Sequence, residues 1–275
     1  MPDFFATAPR HLESLLADEL RDLGLPSAKE ARGGARFSGS LADAYRACLW
    51  SRVANRVLLP LTSFPATDSD SLYAGASALP WEEHLPLRGT FAIQFDGAEG
   101  GIGHSQFGAL RVKDAIVDRF RARLGERPSV DRERPDLRVQ AYLHRGQVTL
   151  SLDLSGDSLH LRGYRHQGSA APLKENLAAA ILLRSAWPAM ARDGAALLDP
   201  LCGSGTLCIE GALIAADIAP GLARVHWGMA GWLGHEAGPW RELLAEARER
   251  RAAGLARFDA IKASIRGYDR DPAAI

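Results

Sequence analysis

The sequence has few cysteines, no long apolar run and no net charge. Its three cysteines, Cys48, Cys202 and Cys208, show no metal-ligand spacing, so we expect no metal site and a reducing compartment such as the cytoplasm. Because no run of about 20 apolar residues is present, we also expect no membrane partner. Lys and Arg number 33 and Asp and Glu also number 33, which argues against a protein that coats nucleic acid with its whole surface.

The chain is ordinary in composition but uneven in charge. Its 47% hydrophobic and 24% charged residues are typical of a globular protein, and its 275 residues suffice for two or three domains. Residues 111–166 hold 12 Lys and Arg against 8 Asp and Glu, whereas residues 1–110 hold 9 against 13. We therefore expect the middle of the chain to be the segment that approaches phosphates.

A glycine-rich stretch between residues 197 and 217 predicts a ligand-binding corner. The apolar run that ends at Asp199 predicts a short buried strand, the sequence Gly203-Ser204-Gly205-Thr206 predicts a sharp turn, and residues 207–216 predict a buried helix. A strand that turns into a helix N-terminus leaves backbone N–H groups free to bind a ligand.

Two nucleotide motifs do not fit this corner. A phosphate-binding loop needs a Lys-Ser or Lys-Thr pair after its last glycine, but Thr206 and Leu207 follow Gly205. The dinucleotide fingerprint would place its third glycine at residue 208, where the chain has Cys208.

The corner instead resembles motif I of class I S-adenosylmethionine (SAM)-dependent methyltransferases. The sequence Asp-Pro-Leu-Cys-Gly-Ser-Gly-Thr is similar to the form found in the branch that methylates guanine N2 in structured RNA. The resemblance implies SAM as cofactor, with its methionine end held by Asp199, Gly203 and Gly205. The full set of cofactor contacts that we expect in the motif is Asp199, Pro200, Cys202, Gly203, Ser204, Gly205 and Thr206.

A second acidic site follows the next predicted strand, residues 261–268. An acidic residue at the end of the second strand of such a sheet can accept both ribose hydroxyls. By the same family resemblance Asp269 is the first choice for this contact and Asp271 the reserve. The two histidines of the Trp- and Gly-rich insertion after Pro220 have no partner at fixed spacing, so we expect no metal there.

The N-terminal third reads as a small α/β segment. Residues 3–8 and 33–38 predict strands, residues 9–23 predict a helix by their apolar period, and Ser40 is a plausible N-cap for a helix over residues 41–58. Pro60, Pro65 and the Ser/Asp run over residues 67–71 predict a break in regular structure.

The middle third reads as an α+β arrangement. Residues 90–95 predict a strand and residues 105–124 a helix with one apolar stripe. Residues 137–143 and 148–154 alternate between apolar and polar, and Arg145-Gly146 between them predicts a two-residue hairpin turn.

Long strings in this region carry a second resemblance. Residues 103–118, GHSQFGALRVKDAIVD, are similar to the central helix of the THUMP domain, an RNA-binding module. Together with residues 159–165 and 171–180, they resemble the family of bacterial 23S ribosomal RNA large-subunit methyltransferases with fused K and L activities, at the N-terminal L half. This resemblance covers essentially the whole chain.

The two resemblances imply a fold and a domain plan. We expect an α/β and α+β chain: a ferredoxin-like segment (1–42), a THUMP domain (43–155), a linker (156–171) and the start of a Rossmann-like class I methyltransferase domain (172–275). The side chains that we expect to bind RNA are Arg111, Lys113, Arg162, Tyr164 and Arg165. An equally weighted alternative is that the arginines and tyrosine of residues 162–165 pack between domains.

The function that the resemblance implies is SAM-dependent N2-methylation of a guanine in 23S rRNA. The Asn-Pro-Pro-Tyr type motif that grips the target base in the family is absent, so catalytic residues are unassigned. We therefore expect the chain to be the N-terminal part of a longer polypeptide and to bind RNA without methylating it. The alternatives are a tRNA guanine-N2 methyltransferase and a non-catalytic RNA-binding module.

Overall fold

A computed structural model of the chain describes residues 1–165, 173–261 and 264–271. Residues 166–171 of the predicted linker lie outside these ranges. The strands are β1 Asp3–Thr7, β2 Lys29–Ala31, β3 Gly34–Ser38, β4 Arg56–Pro65, β5 Thr90–Asp96, β6 Ser129–Val130, β7 Leu137–His144, β8 Gln147–Asp153, β9 Leu197–Asp199 and β10 Ile265–Gly267. The helices are α1 Glu13–Asp22, α2 Leu41–Trp50, α3 Ser69–Ala78, α4 Ser105–Leu124, α5 Glu175–Arg184, α6 Trp187–Arg192, α7 Thr206–Ala215 and α8 Ala237–Ile261.

Eight of the strands form one continuous sheet in the order β2-β3-β1-β4-β8-β7-β5-β6. Strand β4 joins its two halves, because β4 pairs antiparallel with β1 on one side and with β8 on the other. Strand β5 runs parallel to both of its neighbours, β6 and β7. The helices α1 to α4 pack on this sheet over one large apolar core.

The helix predicted over residues 41–58 begins correctly and ends early. Ser40 and Asp43 form a capping box, in which the Asp43 N–H donates to Ser40 Oγ at 3.2 Å and the Ser40 N–H donates to Asp43 Oδ2 at 2.8 Å. The helix ends at Trp50 because the buried carboxylate of Glu19 draws the next residues out of the helix: it accepts from Ser51 Oγ at 2.6 Å and from the Arg52 N–H at 2.7 Å.

The predicted break around Pro60 and Pro65 is wrong. Both prolines lie in β4, and the ladder between β4 and β8 shifts register between Pro60 and Thr62. Such an irregularity tolerates a residue without an N–H, and Pro65 is the last residue of the strand. The Ser/Asp run that follows is helix α3, capped by Asp68, whose carboxylate accepts from the N–H groups of Asp70 and Ser71.

The middle of the chain follows the prediction closely. Helix α4 spans the predicted residues 105–124, and strands β7 and β8 form the predicted hairpin. Arg145 and Gly146 have φ values of 52° and 69°, the left-handed pair that a type I′ hairpin turn requires.

A second, smaller unit holds β9 and β10, which pair with each other in parallel. Helix α5 ends at Arg184, and a separate helix, α6, follows, with Pro188 in its first turn, where the missing N–H of proline costs little. The small apolar cluster of this unit is centred on Leu182, Trp187 and Ala191. The Trp- and Gly-rich insertion packs elsewhere: Trp227, Met229 and Trp232 join the large core.

None of the helices in the described ranges is long and apolar enough to cross a membrane.

Candidate functional site

The glycine turn lies between β9 and α7, as predicted. Gly203 and Gly205 have φ values of 53° and 74°, in the left-handed region that favours glycine, and Gly205 caps α7. A Cβ placed on either glycine would have no atom within 4 Å, so both face open space. Because no side chain caps α7, its first N–H groups also point into that space.

Strand β10 brings Asp269 to the same turn. The register of the parallel pair sets Asp199 opposite Gly267, and the Tyr268 N–H donates to the Asp199 carbonyl at 2.8 Å. The Gly203 N–H then donates to Asp269 Oδ2 at 2.8 Å. Hydrogen bonds from the backbone N–H groups of Asp271 and Gly203 lower the pKa of Asp269, so it stays ionised. Asp199 therefore ends β9 and Asp269 lies two residues after the end of the adjacent parallel strand β10, with the turn hydrogen-bonded to Asp269.

The remaining motif residues divide into exposed and buried ones. Pro200 and Ser204 are exposed, and Cys202 is half-buried with its N–H donating to the Tyr268 carbonyl at 2.9 Å. Burial raises the pKa of Cys202 and of Cys208, which keeps both thiols neutral and makes them poor nucleophiles. Thr206 is buried, and its Oγ1 accepts from Arg165 Nη2 at 3.1 Å.

The structure places Arg162 inside the protein, and its assignment to RNA remains a prediction. Its side chain is only 2% exposed, because it donates to the backbone carbonyls of Leu159 and Arg52 and lies 3.6 Å from the buried carboxylate of Glu210. These contacts are of the kind expected from the alternative in which the residue packs between segments of the chain.

Tyr164 and Arg165 are half-buried and make internal contacts. The Tyr164 hydroxyl donates to Glu210 Oε1 at 2.9 Å, and burial raises the pKa of this tyrosine. Arg165 Nη2 donates to the Leu173 carbonyl at 2.6 Å, and its Nε lies 3.6 Å from the buried carboxylate of Glu175. Tyr164 therefore contacts α7, and Arg165 links α7 to the start of α5; the assignment of both residues to RNA remains a prediction.

Arg111 and Lys113 lie on α4 of the eight-stranded unit. Arg111 is bound on three sides: it donates to the Ser69 carbonyl, pairs with Asp70 at 3.0 Å and lies over the ring of Tyr73 at 4.3 Å. Within the part of the chain that the structure describes, Lys113 forms an ion pair with the neighbouring Asp114 and with no other carboxylate. Arg111 and Lys113 lie close together on α4 but differ in their contacts, because Arg111 is held by several partners and Lys113 by one ion pair.

Three comparisons with known proteins agree with this architecture. Residues 3–58 match the family described as RlmL ferredoxin-like domain, residues 66–153 the THUMP domain, and residues 162–275 the RMKL-like methyltransferase domain. A Listeria monocytogenes crystal structure described as a predicted N6-adenine-specific DNA methylase is 32% identical with a TM-score of 0.83, and the match covers 99% of this chain and 69% of that one. The chain belongs to the RMKL-like methyltransferase family.

Curated relatives of this methyltransferase chain are named Ribosomal RNA large subunit methyltransferase K/L. The Syntrophotalea carbinolica protein is 60% identical over 99% of this chain and 38% of its own length, and the Allochromatium vinosum protein is 60% identical over 99% and 36%. The chain thus spans a little over a third of these relatives. Another methyltransferase, crystallised with S-adenosylhomocysteine (SAH), is 30% identical with a TM-score of 0.80 over 99% of this chain and 69% of that one.

These matches confirm the predicted fold class. A ferredoxin-like and THUMP region precedes the beginning of a Rossmann-like methyltransferase sheet. Within the described residues, no group of three or more His, Cys, Asp or Glu side chains could hold a metal ion.

The sequence analysis missed Glu210, the buried carboxylate that Arg162 and Tyr164 contact. Its signal is visible in α7, Thr-Leu-Cys-Ile-Glu-Gly-Ala-Leu-Ile-Ala, where it is the one charged residue of an apolar helix. A lone carboxylate in such a segment indicates a buried partner, but the sequence alone does not say that the partners are Arg162 and Tyr164.

Proposed function

We propose that this chain supplies the cofactor-binding and RNA-positioning parts of a SAM-dependent methyltransferase that modifies N2 of a guanine in 23S rRNA. The observation that carries the proposal is the shared edge of β9 and β10, where the open turn and the carboxylates of Asp199 and Asp269 lie together. Membership of the methyltransferase family and the names of the curated relatives support it.

The residues of the turn fit SAM. Gly203 and Gly205 leave room where any other side chain would project, and the uncapped N–H groups of α7 suit the electronegative atoms of a ligand. Each Asp269 oxygen accepts one N–H, and a carboxylate has further lone pairs for the ribose hydroxyls. When bound, SAM supplies the methyl group carried on its sulfonium; Asp199, Gly203, Gly205 and Asp269 hold it in place.

The work of the remaining residues is positioning. The exocyclic amine of guanine is a poor nucleophile because its lone pair is delocalised into the ring, so holding the reactants in the right geometry contributes most of the acceleration. We assign RNA positioning to the predicted ferredoxin-like (1–42) and THUMP (43–155) segments and cofactor binding to residues 172–275. No Asn-Pro-Pro-Tyr sequence is present, so we propose that residues 1–275 alone bind without turnover.

Cofactor binding is tested by calorimetric titration of the chain with SAH. We expect Gly203→Val to weaken binding at least about tenfold, because its side chain would fill the space proposed for the ligand, and Asp269→Ala to weaken it by a similar factor through the lost hydroxyl contacts. Gly125→Val is the matched control, since Gly125 also has a positive φ (75°) and open space at its Cβ but lies at the end of α4. Unchanged affinity in Gly203→Val would remove the turn from the site.

The RNA substrate is tested by transfer of a labelled methyl group to unmodified 23S rRNA. The chain is assayed beside a full-length relative. We expect label in rRNA at guanine N2 with the relative and none with residues 1–275. Label in tRNA instead of rRNA would support the tRNA alternative, and methylation by residues 1–275 would contradict the proposal that they do not turn over.

A further inference from the structure

A basic groove runs along the outer edge of β5, between that strand and α4. Its volume is about 360 Å³. Its lining includes the cations Lys113, Arg132 and Arg138, the apolar side chains Leu110 and Val130, and Ile93 of β5. We propose that this groove binds an unpaired segment of RNA, with its phosphates on the cations and one base against the strand edge. This inference rests on the RNA part of the proposed function.

The strand edge in the groove is open. Strand β6 pairs only with Thr90 and Phe91, and the next residue after β6 still donates its N–H to the Phe91 carbonyl at 3.1 Å. Alternate residues of a parallel strand present both N–H and C=O to the same neighbour, so Ile93 presents both groups to the side that β6 no longer covers. Across residues 1–165, 173–261 and 264–271, neither group has a backbone partner on that side. One donor and one acceptor at this spacing suit the hydrogen-bonding edge of a base.

The cationic side chains of the groove have fewer ion-pair partners than Arg111, which lies on the same helix as Lys113. Neither Arg132 nor Arg138 forms an ion pair within 4 Å among the described side chains, and the charge of Arg138 interacts with that of Asp131 at longer range. The Nε of Arg138 is buried without a hydrogen-bond partner among the described residues. Among the described side chains, Lys113 forms an ion pair with Asp114. Two of the three groove cations, Arg132 and Arg138, therefore have no ion-pair partner in the described part of the chain, whereas nearby Arg111 is fully engaged.

The walls of the groove suit a base more than a duplex. Leu110 and Val130 are 41% and 42% exposed at its mouth, so an apolar surface flanks the cations. Gln94 and Gln106 add amide groups. A volume of about 360 Å³ is at the small end of ligand pockets, which run from about 300 to 1,000 Å³. Unstacked bases of single-stranded RNA enter such sites, whereas duplex RNA is bound across its outside.

The test is fluorescence anisotropy of a labelled eight-nucleotide single-stranded RNA with the full chain at several salt concentrations. The double variant Arg132→Gln/Arg138→Gln removes two phosphate partners, so the slope of log affinity against log salt should fall in magnitude by about 1.4, at about 0.7 per contact. At about 0.1 M salt this corresponds to a loss of roughly tenfold or more in affinity. Leu110→Glu, which places a negative charge at the mouth, should weaken binding without removing a cation.

Arg121→Gln is the matched control, because Arg121 also lies on α4 and is exposed but does not line the groove. We expect it to bind like the wild type. Binding by the wild type that the groove variants do not weaken would overturn the groove and leave the rest of the proposed function standing. Absence of RNA binding by the wild type would overturn both, while the SAH titration would still report on the cofactor site. Tighter binding of a duplex RNA, or of an acidic peptide, would also overturn the groove.

Discussion

The eight-stranded unit and the β9–β10 unit differ in how completely their apolar side chains are covered. The first has one large core in which Trp81, Tyr45 and Phe91 are fully buried, whereas the second is centred on three buried residues and leaves Leu198 61% and Leu201 82% exposed. The candidate cofactor residues all lie in the second unit. Segments with few buried contacts open at lower free energy than a large core, so the turn depends on support from outside its own unit.

That support is polar. Arg162 joins the Arg52 carbonyl to Glu210, and Arg52 in turn donates to the Ile218 carbonyl at 2.9 Å. The buried amide of Asn176 donates to Asn55 Oδ1 at 2.8 Å. These contacts link the helices around the glycine turn to the loop after α2. Specific hydrogen bonds to the larger unit therefore help to fix the position of the turn.

The largest effect that would sharpen this comparison is expected from Arg162→Ala. The change leaves the buried Glu210 without its cation and two carbonyls without their donor, which costs about 3–5 kcal/mol for a broken buried pair. Hydrogen exchange should show α7 and β9 opening at lower free energy while β7 and β8 stay protected. Loss of protection in all three elements by the same amount would mean that the two units unfold as one.

A smaller effect is expected from pH, which should change the stability contributions of two buried or partly buried carboxylates, one in each unit, in opposite directions. Two hydrogen bonds from Arg119 lower the pKa of Glu82 to about 2 from 4.5, whereas burial raises the pKa of Glu210. Ionised Glu82 therefore adds on the order of 2 kcal/mol to the free energy of unfolding above pH 4.5, and this contribution is lost as the pH falls toward 2. The contribution of protonated Glu210 to the free energy of unfolding is present below the ordinary pKa of a glutamate. It is lost as the pH rises through the raised pKa of Glu210 in the folded protein.

Urea unfolding at several pH values checks this pair. Glu82→Gln should remove the loss of stability in acid, and Glu210→Gln should remove the loss at higher pH. The Glu82 part is contradicted if the wild type and Glu82→Gln lose stability in parallel on acidification.

The smallest effect is expected from Ser40→Ala in the eight-stranded unit. The substitution removes the Oγ that accepts from the Asp43 N–H, and losing such a cap costs about 1 kcal/mol. Thermal unfolding of the variant should show a lower midpoint with no change in SAH affinity. A changed SAH affinity would mean that the two units are coupled more strongly than their contacts suggest.

Local patterns in the sequence predicted much of this structure, and the reasons for the failures are physical. Helix α4 and the β7–β8 hairpin carry their signals within a few residues, in an apolar stripe and a turn that needs positive φ. Strand β4 was missed because Pro60 reads as a break, and only its partner β8 reveals the irregularity that accommodates it. The contact of Arg162 with Glu210 was not predicted because the two residues are 48 positions apart along the chain, beyond any local pattern.

Strand β4 crosses the boundary between the two N-terminal domains that the family matches define. The segments that match the ferredoxin-like family and the THUMP family end at residue 58 and begin at residue 66, so the seam between these two inherited modules falls inside one strand, Arg56–Pro65. Cleavage of the chain within β4 would leave each piece with an unpaired strand edge, which is prone to self-association. The two modules are therefore joined by backbone hydrogen bonds into one sheet that runs without a break from β2 to β6.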